Sequence, residues 1–124
     1  MSVPENLFYT KEHEWVSVDG DIATIGITDF AQKELGDIVF VEVETVDEEL
    51  EIEESFGTIE AVKTVSDMFM PVGGTVTELN EALDAEPETI NKDPYGEGWI
   101  IKIKMSDASQ VEGLLSAEAY QELI

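Results

Sequence analysis

The chain of 124 residues contains no cysteine and no arginine, and its single histidine is His13. The absence of cysteine excludes a disulfide framework, a thiolate metal site and a cysteine nucleophile. One histidine cannot build a zinc site that needs several. No apolar run reaches the roughly 18 residues of a membrane-spanning helix, and no basic segment followed by an apolar one begins the chain. We therefore expect a cytoplasmic protein without a membrane partner.

Positive charge is scarce, because 6 lysines stand against 29 aspartates and glutamates and the net charge is −23. Nucleic-acid phosphates require clustered Lys and Arg, so no nucleic-acid partner is expected. Anionic membrane surfaces are excluded on the same ground. Hydrophobic residues make up 43% of the chain and are regularly spaced, which argues against disorder. At this length we predict a single domain over residues 1–124.

Short segments of alternating apolar residues predict a mainly β protein. Residues 14–27 alternate on both sides of an Asp-Gly turn, which predicts a hairpin. Residues 56–70 predict a second hairpin, with Lys63 at its tip. The β-branched segment 38–43 is predicted to be a buried strand. Further strands are predicted over 75–79 and 99–105, and the regular spacing of all these segments favours a small sandwich or barrel.

Three short helical segments are also predicted. Asp29 and Gln32 have the spacing of a capping box, which predicts that a helix starts at Asp29. Asp107 and Gln110 repeat that spacing and predict that the C-terminal segment is helical. Pro87 suits the first position of a single helical turn.

Lys63 has the most informative surroundings of the six lysines, because small and β-branched residues flank it at a hairpin tip. One interpretation is a surface lysine at a turn. The other is an amine displayed for covalent modification, since a rigid hairpin projects it and no neighbouring side chain shields it. A Schiff-base lysine needs a desolvated amine, which an exposed tip does not provide. The pattern alone leaves the first two interpretations open.

Four motifs carry a resemblance to a known family. The segment Glu-Ala-Val-Lys-Thr-Val-Ser-Asp at residues 60–67 and the following Pro-Val-Gly-Gly-Thr-Val at 71–76 resemble the lipoyl-lysine hairpin of the glycine cleavage H-protein family. Residues 11–16, 26–37 and 91–99 resemble other motifs of the same family, in the same order. The resemblance therefore covers nearly the whole chain.

This resemblance implies a flattened β-sandwich of the lipoyl- and biotinyl-domain type, the hammerhead fold, with short helices that include one near the C-terminus. It implies that Lys63 carries lipoate through an amide, on a hairpin of about residues 56–70. Biotin carriers share the fold but usually place Met on both sides of the lysine. Here the flanking residues are Val62 and Thr64, which favours lipoate.

The implied function is that of a carrier in one-carbon metabolism, not that of an enzyme. A pyridoxal-phosphate glycine decarboxylase loads the aminomethyl group of glycine onto the lipoyl swinging arm, and a tetrahydrofolate-dependent aminomethyltransferase unloads it. A dihydrolipoyl dehydrogenase that uses FAD and NAD reoxidises the arm, which a lipoate ligase or a lipoyl/octanoyl transferase attaches. Two alternatives stay open: a relay that donates octanoyl or lipoyl groups to other enzymes, and an acidic adaptor that is never modified.

Four further site residues follow from the resemblance. Glu60 and Gly74 match positions that the modifying enzyme reads. Glu14 and Asp67 match residues of a cleft that shelters the aminomethylated arm. Carboxylates suit that place, because they hold a cationic amine by charge-assisted hydrogen bonds.

Three positions depart from the family pattern. Asp47 occupies a turn where the family often has Gly, but Asp tolerates the left-handed conformation, so the turn is expected to survive. Glu12 replaces a small hydroxyl residue of some relatives, and Glu34 replaces a histidine. These two acids predict a more acidic cleft.

Overall fold

The computed structural model describes residues 3–124, which form two antiparallel β-sheets packed against each other. The strands in this part of the chain are β1 (Phe8–Tyr9), β2 (Glu14–Asp19), β3 (Ile22–Ile27), β4 (Ile38–Glu42), β5 (Glu49–Leu50), β6 (Ser55–Ala61), β7 (Val65–Phe69), β8 (Gly74–Leu79) and β9 (Ile101–Met105). The helices are α1 (Asp29–Leu35), α2 (Ala82–Ala85), α3 (Thr89–Lys92), a 3-10 helix (Ala108–Gly113) and α4 (Ala117–Leu123). The larger sheet has the order β1-β2-β3-β9-β8-β5 and the smaller sheet β4-β6-β7. The predicted mainly β sandwich with short helices is confirmed.

The main core lies between the two sheets, because alternate residues of each strand point inward. In β9, Ile101, Ile103 and Met105 are buried while the intervening lysines face outward. The smaller sheet supplies buried residues of β6 and β7 from its inner face, such as Ile59 and Met68. None of the helices within residues 3–124 has the length and apolar character needed to cross a membrane.

Both predicted hairpins are confirmed. β2 and β3 pair from Glu14 opposite Ile27 to Asp19 opposite Ile22, and Gly20 between them has a φ of 66°. β6 and β7 form the second hairpin, with Lys63 in the turn between them. This second hairpin makes up two of the three strands of the smaller sheet.

Strand β4 corrects the prediction that residues 38–43 form a buried strand. Only Ile38 of this strand is buried, and Val39 and Phe40 are 46% and 45% exposed. The strand lies at an edge of the smaller sheet, and a register shift between Ile38 and Phe40 marks a bulge. The bulge interrupts the regular alternation of side chains between the two faces of the sheet. The apolar residues of β4 that were predicted to be buried are therefore partly exposed.

Two helix starts also differ from the predictions. Thr28, not Asp29, caps α1 by accepting the Ala31 N–H at 3.2 Å. Asp29 instead accepts a hydrogen bond from the Gln32 amide at 2.7 Å. Asp107 caps the 3-10 helix by accepting the Ser109 N–H at 3.0 Å, and the C-terminal helix α4 begins later, at a separate cap. That cap is Ser116.

Between β8 and β9, two short helices replace the single predicted turn. The Ile90 N–H donates to the Pro87 carbonyl at 3.2 Å, so Pro87 stands just before α3. Asp47 has a φ of 74°, which confirms that Asp accepts the left-handed conformation in its turn.

Candidate functional site

Lys63 projects from a braced turn. The Ala61 N–H donates to the Thr64 carbonyl across the turn at 2.7 Å, and the Val62 N–H donates to the Asp37 carbonyl at 3.0 Å. These bonds tie the tip both to its own hairpin and to the chain that leads into β4. The Lys63 side chain is exposed, and the protein thus presents an accessible amine on a rigid support.

Glu60 lies beside this tip on the outer face of the smaller sheet. Its partners on the neighbouring strands are Phe40 of β4 and Val65 of β7. Directly paired residues of antiparallel strands share a face of the sheet. The Glu60 carboxylate therefore stands between two exposed apolar side chains. Its predicted recognition by the modifying enzyme stays a prediction.

Gly74 lies in the larger sheet, at the start of β8. A Cβ on this residue would lie 2.4 Å from the carbonyl oxygen of Lys104 and 3.1 Å from the Cα of Met105. Only glycine allows β8 and β9 to approach this closely. The structure thus gives Gly74 a packing role, and its predicted role in recognition by the modifying enzyme stays a prediction.

Glu14 is a buried carboxylate that joins the two sheets. It begins β2 and is 3% exposed. Its Oε2 accepts the Phe69 N–H of β7 at 2.8 Å, and its Oε1 accepts the Thr10 hydroxyl at 3.0 Å. Burial raises the pKa of Glu14 to about 7, and these two hydrogen bonds oppose the shift by favouring the charged form. The group therefore titrates near neutral pH.

Thr10 positions this carboxylate, although no sequence motif predicted that role. Besides donating to Glu14, its hydroxyl accepts the backbone N–H groups of Glu12 and Glu14, both at 3.2 Å. The Thr10 carbonyl accepts the His13 N–H at 3.1 Å. The loop is tight enough that His13 adopts a φ of 67°. The only sequence signal was a hydroxyl residue two positions before Glu12, the spacing of a Ser/Thr turn.

His13 is a packed residue between helix α4 and Phe30. Its Nδ1 lies 2.8 Å from the Tyr120 hydroxyl, and its ring centroid lies 4.7 Å from that of Phe30. Burial lowers the pKa of His13, against the opposing effect of Glu12 and Glu34. The contact with Tyr120 anchors helix α4 beside the loop that holds Glu14.

A cleft of about 280 Å³ opens over Glu14. Apolar walls come from both sheets and from the segment before α4, and include Ile52, Phe69 and Leu114. Glu12 and Glu53 add acidic groups to the lining. An apolar cleft with several carboxylates suits an apolar chain that ends in a cation. No group of three or more His, Cys, Asp or Glu within residues 3–124 is arranged to hold a metal ion.

Asp67 is not part of this cleft. It is exposed and pairs with Thr58, whereas Phe69, two residues further along β7, lines the cleft and binds Glu14. The structure therefore brings Glu14 and β7 together but leaves Asp67 on the outer face, in the row next to Glu60. The predicted contact between Asp67 and the arm stays a prediction.

Two antiparallel sheets, with an accessible lysine at the hairpin tip of the smaller sheet, define a carrier domain of the lipoyl and biotinyl type. The family profile described as glycine cleavage H-protein matches residues 7–124. A glycine cleavage system H protein of Bacteroides thetaiotaomicron is 61% identical over 124 residues, which cover 100% of this chain and 98% of that protein. The corresponding protein of Staphylococcus carnosus is 55% identical with the same coverage.

A solved structure agrees with these relatives. The crystal structure of a glycine cleavage system H protein from Mycobacterium marinum matches with a TM-score of 0.88 and 38% identity, over 97% of each chain. The chain belongs to the glycine cleavage H-protein family, whose members are lipoyl-bearing carrier components of the glycine cleavage system.

Proposed function

We propose that Lys63 bears lipoate in an amide and that this chain carries the aminomethyl group of glycine between the enzymes of the system. The observation that carries the proposal is the accessible Lys63 amine on its braced tip. The amide would remove one positive charge and take the formal net charge from −23 to −24. In this role the chain itself catalyses no step.

The residues present fit such a group. The exposed Lys63 side chain leaves room for an acyl chain. The apolar walls of the cleft suit the hydrocarbon part of the arm. Glu14 and the acidic lining suit its cationic end.

Held on Lys63, lipoate would supply a disulfide as the acceptor for the aminomethyl group. Lys63 holds this group at a fixed point of the fold. Glu14, oriented by Thr10 and Phe69, holds the cationic amine, and the apolar walls exclude water from it. An incoming cation favours the charged form of Glu14 and lowers its pKa.

The partners that we propose are those of the glycine cleavage system: a pyridoxal-phosphate glycine decarboxylase, a tetrahydrofolate-dependent aminomethyltransferase, a dihydrolipoyl dehydrogenase, and a lipoate ligase or lipoyl/octanoyl transferase. The strong negative charge of the carrier would steer it toward basic rims on these enzymes. The cytoplasmic location stays a prediction.

The test is an intact-mass and peptide-mass measurement on protein purified from its source, with Lys63→Arg as the variant and Lys92→Arg as the matched control. We expect lipoyl modification of the wild type and of the control but not of Lys63→Arg, and glycine cleavage with added partners only where modification occurs. An unmodified wild type would favour the adaptor. A modified protein that donates lipoyl groups but supports no glycine cleavage would favour the relay.

A further inference from the structure

Four exposed apolar side chains surround Lys63. Nine large hydrophobic residues are exposed among residues 3–124, and four of them lie in β4, in the tip or at the start of β7. Val62 is 75% exposed and Val65 is 62% exposed, and in β4 Val39 and Phe40 are 46% and 45% exposed. Such an apolar patch with a polar border is typical of a surface that binds a protein. We call these four residues the tip patch.

The backbone keeps the tip patch in place. Phe40, Glu60 and Val65 are directly paired across the three strands, so their side chains form one row on the outer face. The bulge at Val39 adds a second apolar side chain at the end of this row. Phe40 lies on an edge strand and is 45% exposed, so a large part of its ring is accessible to a partner.

The charges next to the tip patch are negative. The next row on the same face consists of Glu42, Thr58 and Asp67. With Glu60 at the centre of the first row, the outer face presents three carboxylates around an apolar strip. A complementary partner therefore has an apolar depression bordered by basic side chains.

We propose that the tip patch is the docking surface of the enzyme that acylates Lys63, and that the enzymes acting later on the arm do not depend on it. This inference rests on the proposed function. The reason is the distance between the hairpin tip and the atoms that react, which differs before and after modification. Before modification the reacting atom is the Lys63 Nζ, on a stem of four carbons, so the acylating enzyme must cover the tip itself. After modification the reacting sulfur atoms lie far beyond the tip, and later partners can dock elsewhere.

The acylation balances as an ordinary acyl transfer. The Nζ forms a C–N bond with the carbonyl carbon of lipoate, activated as its mixed anhydride with AMP. The bond from that carbon to the phosphate oxygen breaks, and AMP leaves with the electron pair. The Lys63 ammonium loses two protons in all. The tip patch takes no part in these bonds and only positions the amine.

The test compares Phe40→Thr, Val65→Thr and the double variant with Val18→Thr, a matched change at an exposed strand position of the other sheet. The probe is a purified lipoate–protein ligase with lipoate and ATP, and the readout is the initial rate of modification by intact mass. We expect kcat/KM to fall about tenfold in the double variant, as for residues central to an interface. We expect it to stay unchanged in Val18→Thr.

A second readout separates this proposal from the proposed function. Each variant is modified to completion by long incubation and then offered to a dihydrolipoyl dehydrogenase, whose rate should equal that of the modified wild type. Unchanged modification of the double variant would overturn the tip-patch proposal and leave the carrier function intact. An equal loss in both assays would also overturn it, because the patch would then serve every partner. A wild type that is never modified would overturn the proposed function itself.

Thermal melts check that each variant is folded. If the double variant unfolds, the modification rate of the conservative Val65→Thr variant alone tests the tip-patch proposal.

Discussion

The tip around Lys63 and the cleft around Glu14 use opposite ends of the same strand. At the start of β7 the protein leaves apolar side chains and an amine in solvent. At its end, the Phe69 N–H donates to the carboxylate of Glu14, a residue that is only 3% exposed. One end presents a group for reaction, and the other keeps a charge away from water.

The two ends therefore have different energetic costs. The exposed Lys63 keeps its contact with water, so presenting it costs the fold little. A buried carboxylate loses hydration, which its hydrogen bonds restore only in part. The raised pKa of Glu14, about 7, is the direct sign of that cost. We infer that substitutions in the cleft change stability and pH dependence, while substitutions at the tip change encounter with partners.

The largest stability effect in this comparison is expected from Glu14→Gln. The pKa of Glu14 rises from 4.5 to about 7 on folding, so the folded state holds its proton between these values while the unfolded state has released it. The wild type consequently loses stability as pH rises from 4.5 through 7. The shift corresponds to about 3 kcal/mol. At pH 8 the variant should therefore be more stable than the wild type by up to about 3 kcal/mol.

Urea unfolding at pH 4, 6 and 8 measures this effect as the difference between the two proteins, which cancels the other carboxylates. The difference should be close to zero at pH 4, where Glu14 is mostly protonated in both states. A constant difference at all three pH values would show that Glu14 does not titrate as stated. The same variant should retain a cationic arm less well, so its gain in stability comes with a loss of carrier function.

Gly74→Ala tests whether a residue predicted for recognition acts through packing. Its Cβ would lie 2.4 Å from the Lys104 carbonyl oxygen, so β8 and β9 must move apart. We expect a loss of about 2 kcal/mol in the free energy of unfolding, as for an overpacked site. Gly113→Ala is the control, because nothing lies within 4 Å of its added Cβ. A fully stable Gly74→Ala protein that the ligase fails to modify would instead support direct recognition.

The sequence predicted the tip far better than the cleft. The hairpin over residues 56–70 and its lysine follow from local alternation and a turn, which involve residues close in the chain. The left-handed Asp47 was expected from the family resemblance, because the family often has Gly in this turn and Asp tolerates that conformation. The Glu14–Phe69 bond joins residues 55 positions apart, and no local pattern contains it.

Other local patterns gave incomplete predictions. Thr28 and Asp29 are both good capping residues, and only the observed bond to the Ala31 N–H decides between them. The apolar run 38–43 indicated a strand correctly, but its exposure depends on its place at a sheet edge and on the bulge before Phe40. Tertiary position, not composition, decided each of these cases.

Thr10→Val removes the group that the sequence did not reveal, and a smaller effect is expected. Glu14 loses one hydrogen-bond donor, and two backbone N–H groups lose their acceptor. The pKa of Glu14 should rise further, because the lost bond favours the charged form. We expect a loss of about 1 to 2 kcal/mol, greater at pH 8 than at pH 5. Unfolding curves at both pH values measure it, with Thr75→Val as the control. An equal loss at both would mean that Thr10 supports only the loop.

The smallest effect on stability is expected at the tip, from Glu60→Gln. The side chain is exposed, so the free energy of unfolding should change by less than about 0.5 kcal/mol. Modification by the ligase should nevertheless slow, and its rate should depend less on salt than that of the wild type, because one carboxylate facing the partner is lost. Glu44→Gln, a change at another exposed acid that lies outside the paired rows of the outer face, should leave the rate unchanged. If Glu60→Gln and Glu44→Gln behaved alike, the acidity would act through overall charge, and the tip would have no local electrostatic role.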